Sequence, residues 1–302
     1  MRLFDIIIPV FKNPEELEKC LQGFSQQTFS DFRILLCIDG NPEKINNYLM
    51  RNNFSLDIMP LHHADVKRYG SNATRNLALP HLQSDYLLMF DSDFIPSADL
   101  MQHHYTLLTA RDCISLGGIK YLNTETHYLA DYVQSRGKNK LRDGEIVPYK
   151  YITSHNVAMK TRYFIKIGGQ DDAIMSYGGD VEFSYRLKKH VSVPLIYNKK
   201  AISYAVWNKS MKVMLNQMHE FGSVTLPYLK QKHPELKQAF RVDLITKRGI
   251  HHLIIRIAFN NAVATFFKKI LSYAPRLFKR MMIHYLLFQR IIRGFDSVNK
   301  SN

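Results

Sequence analysis

Up to about residue 120 the chain alternates short apolar runs with segments whose apolar residues recur every third or fourth position. The runs at 4–9, 33–38, 56–60, 85–90 and 113–118 read as strands, and the segments beginning at 14, 43, 71 and 97 read as helices. The first helix has Asn13 at its N-cap, Pro14 in its first turn and Glu15 and Glu16 behind it. Leu17, Cys20, Leu21 and Phe24 form its apolar face. Asp39-Gly40-Asn41-Pro42 closes the second strand in a turn. Strands alternating with helices of this length imply an α/β fold: a mostly parallel sheet with helices on both faces.

Past residue 118 the pattern is less regular. Residues 134–150 have no periodic apolar face and read as a long, partly basic loop that orders on ligand binding. A strand follows at 153–159, then a helix at 161–167 that stops at Gly168-Gly169. A second pair, Gly178-Gly179, leads to Asp180 and a helix at 181–189. Short strands are expected within 194–207. From 208 the pattern is helical, with breaks at Pro227, Pro234, Gly249 and Pro275. The expected division is a domain at 1–207, with halves 1–120 and 121–207, and a helical region at 208–302.

A content of 46% hydrophobic and 22% charged residues is ordinary for a globular protein. Cys20, Cys37 and Cys113 are too few and too scattered for a disulfide framework or a zinc site, so buried thiols in a reducing compartment are expected. Asp5 and Pro9 interrupt the first apolar run, which argues against a signal peptide, and no run of 18 apolar residues suggests a spanning helix. The net charge of +15 is uneven: residues 247–302 hold eleven Lys and Arg against the single acid Asp296. Apolar Leu253, Ile254, Ile257, Phe266, Leu277, Met281, Ile283, Leu286 and Leu287 are interspersed with these cations. Basic amphipathic helices of this kind suit an anionic membrane surface. One tryptophan and no nucleic-acid motif argue against a nucleic-acid partner.

The chemistry concentrates where strands end. The run 86–90 leads directly into Asp91-Ser92-Asp93, an acidic pair suited to a divalent cation and, through it, a phosphate. Pro9-Val10-Phe11-Lys12-Asn13, Asp39-Gly40 and Ala73-Thr74-Arg75-Asn76 fall near the same rim. Together these resemble the nucleotide-sugar half of glycosyltransferase family 2, of GT-A (Rossmann-like) fold. The shared patterns are a proline-aromatic-asparagine turn, an Asp-Gly turn, an Ala-Arg-Asn helix start and an Asp-x-Asp motif. Asn156-Val157-Ala158-Met159-Lys160, Gly168-Gly169-Gln170-Asp171-Asp172 and Tyr177-Gly178-Gly179-Asp180-Val181-Glu182-Phe183 extend the resemblance. They match that family's Asn-x-Ala-x-Lys strand, Gly-Gly-Phe-Asp-Glu turn and Gly-Gly-Glu-Asp segment. This version is typical of bacterial capsule, lipopolysaccharide and galactosyltransferase-like members.

The resemblance implies an inverting transferase that moves a sugar from a nucleotide donor, expected to be UDP-linked, to a hydroxyl of a surface glycan or lipid-linked acceptor. Asp91 and Asp93 would hold Mn²⁺ or Mg²⁺. Pro9, Asp39, Arg75, Asp91 and Asn156 would line the donor site. Asp180 would act as general base and Glu182 would reach the acceptor. The expected location is the cytoplasm, peripheral to the inner membrane. Two departures stand out. The Gly-Gly-Glu-Asp motif is one acid short, and the histidine that completes the metal site in many relatives is absent, leaving His155 or His219 as candidates. Each residue also has a plainer reading. Asp180 after two glycines suits an N-cap, Asp39 a turn, and Arg75 a helix-surface arginine or an ion pair within the fold. The pairs His62-His63, His103-His104 and His251-His252 read as surface residues. The rival functions are a non-catalytic nucleotide-sugar-binding homologue and a nucleotidyltransferase.

Overall fold

Eight apolar segments pair into one sheet in the computed structural model, which describes residues 2–52, 54–175, 177–237 and 249–299. The strands are β1 (Phe4–Val10), β2 (Phe32–Ile38), β3 (Ile58–His62), β4 (Tyr86–Phe90), β5 (Ile95–Pro96), β6 (Ile114–Tyr121), β7 (Asn156–Lys160) and β8 (Leu195–Ala205). Their order is β3-β2-β1-β4-β7-β6-β8-β5. Only β7 and the two-residue β5 run against the others, so the sheet is mostly parallel.

The helices are α1 (Pro14–Ser25), α2 (Glu43–Arg51), α3 (Ser71–Asn76), α4 (Leu100–Ala110), α5 (Tyr128–Gln134), α6 (Thr161–Lys166), α7 (Gly179–His190), α8 (Met211–Glu220), α9 (Leu226–Lys232), α10 (Ile250–Ala258), α11 (Asn261–Ile270) and α12 (Arg276–Asn299). Asn13 caps α1, accepting from the Glu16 amide at 3.4 Å. Successive strand residues point to opposite faces, and both faces are apolar. Ile7, Leu35 and Met89 pack with Phe164, Phe183 and Leu187 from α6 and α7. On the other face, the Phe24 ring of α1 meets Phe90 edge-on at 5.1 Å and Phe32 at 5.9 Å.

The chain divides into two compact units. Met1–Leu122, Gln134–Met175 and Gly179–Val206 form the first, which holds the sheet. Asn123–Val133, Ser176–Gly178 and Trp207–Asn302 form the second. The second unit is helical, with Met214, Met218, Ile283, Leu286 and Leu287 at its core. There Gly222 and Gly294 permit close backbone approach: a Cβ on either would lie 2.2 Å from the carbonyl oxygen of Ile291 or His219, respectively. Asp131 of α5 is held by Arg280 and Arg276, and these contacts outweigh burial to pull its carboxyl down to about 2.

Several elements differ from expectation. Proline ends the helix from Ser71 early: Pro80 disfavours the α conformation at Leu79, and a 3-10 turn, Leu79–His81, takes over. Pro227 follows a π-helical turn, Phe221–Thr225, which interrupts the α-helical pattern between α8 and α9 where a break was expected. The segment 134–150 is not an open loop. It contains the 3-10 turns Gly137–Lys140 and part of Tyr149–Tyr151, and Ile146 forms an antiparallel bridge to Ile196. The expected short strands within 194–207 are one strand, β8, which pairs with β6 across a register shift between Gly117 and Gly118. Lys247 and Arg248 of the basic tail and the His251 and His252 side chains lie outside the described residues.

At the N-terminal end of β1, Asp5 is fully buried, 2.6 Å from Arg33 Nε, and accepts from the amides of Gln83 at 2.8 Å and Ser84 at 3.0 Å. Burial alone would raise this carboxyl. Arg33 and the two amides more than offset that and hold it below the usual carboxylate range. Its stabilisation is therefore complete above that range and is lost as acid protonates it. Asp5→Ala should lower stability by about 3 kcal/mol, the cost of breaking a buried pair. It should also flatten the acid side of a pH series of urea midpoints, whereas a midpoint shift under about 0.5 kcal/mol would show the pair to be dispensable.

Candidate active site

Parallel β1, β2 and β4 deliver their carboxyl ends to one rim, and antiparallel β7 begins there. β2 and β4 flank β1 on opposite sides, which makes this a topological switch point, where open α/β sheets bind ligands. Asp39 follows β2, Asp91 follows β4, and Ser154-His155 lead into β7. The Asp91 amide donates to the His155 carbonyl at 3.4 Å, tying the two chain ends together.

The short helix α3 organises this rim. Its sequence, Ser-Asn-Ala-Thr-Arg-Asn, has no apolar face. Six residues do not hold a helix in water by themselves, so tertiary hydrogen bonds must hold this one. Asp39 receives the amides that lead into it, Tyr69 at 2.8 Å and Gly70 at 3.1 Å. Asn72 donates to the carbonyls of Asp171 and Ile174, both at 3.1 Å. Asn76 clamps the Gln170 backbone, donating to its carbonyl at 2.7 Å and accepting from its amide at 2.8 Å. Buried Arg75 donates through Nη2 to Asp91 and through Nη1 to Gln170 Oε1 at 3.1 Å.

Asp180 sits in the first turn of α7 and does not cap it. Its Oδ1 accepts from the amide of Ser154 at 3.1 Å and from the Ser154 hydroxyl. Burial raises its carboxyl above the usual range; the Ser154 hydrogen bond and Arg75 act against this, and the charge of Asp91 adds to it. A helix N-terminus by itself favours the ionised carboxylate, and at Asp180 burial outweighs it.

Asp91 is partly exposed beside Arg75. Asp93 is exposed. Both charges act on the same two groups: burial first, then Asp93 and Asp91, push up the Cys20 thiol and the Tyr121 phenol. The two carboxylates thus share one locality, and a hard cation would suit it. Among the described residues no third His, Cys, Asp or Glu joins them as a ligand. A magnesium-like ion held by these two carboxylates would need further oxygen ligands from outside the protein side chains. His155 is not turned to this task. Its ring stacks on Phe94 at 4.8 Å, and its Nε2 lies 3.3 Å from Lys138 Nζ and 3.2 Å from Thr153 Oγ1. His219 lies on α8 in the second unit.

Three expectations need correction. Asn156 does not face a ligand: it is fully buried, its Oδ1 lies 2.8 Å from His104 Nε2, and its Nδ2 donates to the Ala201 carbonyl at 2.9 Å. His104 is likewise buried rather than on the surface, and desolvation lowers its ring to about 4, so it is neutral. Glu182 is fully buried, with both oxygens on Arg186 Nε at 2.7 and 2.9 Å, which removes it from acceptor contact. Pro9 lies one residue from the end of β1, opposite Cys37 and half-buried. The sequence also concealed Lys138. It is buried near Asp180, donates to Thr153 Oγ1 at 3.0 Å, and is lowered by desolvation to about 7. Its Gly-Lys-Asn-Lys setting looks like any solvated basic loop, so no periodicity could have singled it out.

The model of a protein family described as glycosyl transferase family 2 matches residues 5–168. Chondroitin synthase of Escherichia coli is 25% identical over 217 residues, covering 60% of this chain and 32% of that protein. Hyaluronan synthase of Pasteurella multocida is 25% identical over 226 residues, covering 62% of this chain and 23% of that protein. The chain thus spans a third or less of the length of these relatives. A mannosyltransferase from Pyrobaculum calidifontis, solved with GDP-Man and Mn²⁺, superposes with a TM-score of 0.64 at 12% identity, covering 98% of this chain and 88% of that one. S. aureus TarS superposes with a TM-score of 0.57 at 16% identity, covering 100% and 91%. At these identities the likeness shows the GT-A fold.

Gly169 has φ +74°, and a Cβ there would lie 2.3 Å from Asn76 Oδ1; Gly168 has φ +71° and open space around it. Gly168→Ala should therefore cost only backbone strain, about 1 kcal/mol, and Gly169→Ala roughly twice that or more because it also displaces the Asn76 clamp. Urea midpoints compare the two, and equal costs would show that the clamp contributes nothing.

Proposed function

The chain belongs to glycosyl transferase family 2, and from that premise we propose an inverting, divalent-metal-dependent transferase acting on a nucleotide sugar. The observation that carries this reading is that Asp91 and Asp180 are the two ends of one hydrogen-bonded path through Arg75, Gln170 and Ser154. One acid is the partly exposed member of the acidic pair; the other is buried, and burial raises its carboxyl. Two carboxylates in such different settings suit two different tasks.

In the proposed reaction the donor diphosphate lies at Asp91 and Asp93. A divalent ion bound there would supply charge stabilisation for the departing nucleoside diphosphate. Asp180 takes the proton of the acceptor hydroxyl as that oxygen attacks the anomeric carbon from the side opposite the diphosphate. The new glycosidic bond forms as the carbon–phosphate oxygen bond breaks, and the configuration inverts. Arg75, whose charge lies between the two acids, holds Asp91 in place. A UDP-sugar is the favoured donor, since solved forms of S. aureus TarS contain UDP or UDP-GlcNAc. A hydroxyl of a growing surface glycan is the favoured acceptor, since the curated relatives are polysaccharide synthases.

Asp180→Asn should keep nucleotide-sugar affinity and lower turnover by about 100-fold or more, whereas Asp93→Ala should abolish metal-dependent donor binding. Calorimetry with a panel of nucleotide sugars, with and without Mn²⁺, reads the second effect, and release of nucleoside diphosphate reads the first. Undiminished release by Asp180→Asn would end the assignment of the base. Donor binding without release in the wild type would favour the non-catalytic homologue.

We also propose that the second unit rests on an anionic leaflet. Among the described residues no helix is long and apolar enough to cross a membrane. Ile283, Leu286 and Leu287, expected on the membrane face, are instead core residues. Exposed apolar residues remain: Leu253, Ile254 and Ile257 on one helix, Phe266 on the next, and Leu277, Phe278 and Met281 on the last. Lys268, Lys269 and Lys279 stand among them. The protein should co-sediment with vesicles containing phosphatidylglycerol, should not do so with phosphatidylcholine alone, and should release as salt rises. Equal binding to both vesicle types would exclude the electrostatic part of this reading.

A further inference from the structure

Gln170 stands where the resembling family's turn carries phenylalanine, and it has become a buried polar bridge. Its Oε1 accepts from Arg75 Nη1 at 3.1 Å, and its Nε2 donates to Ser154 Oγ at 2.6 Å. It is 3% exposed. Ser154 in turn donates its hydroxyl to Asp180 Oδ1. The donors all point one way: guanidinium to amide, amide to hydroxyl, hydroxyl to carboxylate. In such a chain each bond polarises the next. The serine hydroxyl has one proton and rotates freely unless something occupies its lone pairs. The Gln170 N–H does that, so the proton is left to face Asp180. The Gln170 backbone cannot drift, since Asn76 grips both its amide and its carbonyl. A phenylalanine could neither accept from Arg75 nor orient the hydroxyl.

We propose that Gln170 is a positioning residue for the transfer reaction: it fixes the Ser154 hydroxyl and thereby aims the Asp180 carboxylate and sets its basicity. This rests on the reading of Asp180 as the general base. The charged groups that act on Asp180 are Arg75, Asp91 and Lys138, and only Arg75 touches Gln170.

The test is a direct titration of Asp180 by carbon NMR of protein labelled at aspartate, assigned with Asp180→Asn, without metal or donor. In Gln170→Met the midpoint should rise by about one pH unit, because the hydroxyl no longer has to face the carboxylate. Ser154→Ala should raise it by a similar amount. The double variant should rise no further than either single one, since both act through one hydroxyl. Release of nucleoside diphosphate from the nucleotide sugar that the wild type turns over fastest should fall about tenfold in kcat, with donor KM within about twofold. An unchanged midpoint in folded Gln170→Met, or additive effects in the double variant, would overturn the inference. If Gln170→Met fails to fold, Gln170→Asn, one methylene too short to span Arg75 and Ser154, replaces it. Should Asp180→Asn turn over like wild type, the base assignment falls. Should it be inactive while Gln170→Met has a wild-type midpoint and rate, only the role of Gln170 falls.

Discussion

A guanidinium withdrawn from water must be met by acceptors on several sides, and the buried Arg75 sets that condition for the whole rim. It draws Asp91 from the end of β4 and Gln170 from the turn after α6. Arg75 is itself carried on a helix too short to persist without help. Asp39, Asn72 and Asn76 provide that help by anchoring to backbone, and Asn76 also donates to the Asp172 carboxylate. The consequence is mutual dependence. Loss of any anchor loosens the guanidinium, and loss of the guanidinium leaves Asp91 and Gln170 without their partner.

The same group divides the two acids into different roles. Asp91 lies beside a permanent cation and is partly open to solvent. Asp180, reached by Arg75 only through intermediaries and desolvated, has its carboxyl raised. Two chemically identical groups thereby stand in different settings, one against the cation and partly open to solvent, the other buried.

How much could be read from the chain alone follows the same physics. Strands and the first helix were readable because burial on two faces leaves continuous apolar runs and because Asn13-Pro14 is a local capping signal. The acidic pair and Asp180 were readable as a combination of motifs at strand ends and helix starts. Burial of individual polar side chains was not. Asn156, Glu182, His104 and Lys138 look in sequence like residues bound for solvent or ligand, and each is buried in the fold. Their burial depends on partners far along the chain: His104 lies 52 positions from Asn156. No local window contains that information. Gln170 is the converse case, since its neighbours marked a turn while its meaning arose only when Arg75 and Ser154 arrived on either side.

The Asn156–His104 cluster has a consequence for how the sheet assembles. β7 lies beside β6 and its pairing there is short and mostly apolar, and apolar strands can slide past each other at little cost. A slip of one residue turns every side chain to the opposite face. Asn156 resists this because its amide finds acceptors at Gly118 and Ala201 and its oxygen finds His104 only in the native alignment. Any other alignment buries an amide and an imidazole without partners, which is far costlier than misplacing a methyl group. The cluster therefore acts as a proofreading device in folding. It denies stability to sheets in which β7 is mispaired with β6, and so fixes the strand whose leading residues, Ser154 and His155, reach Asp180 and Asp91.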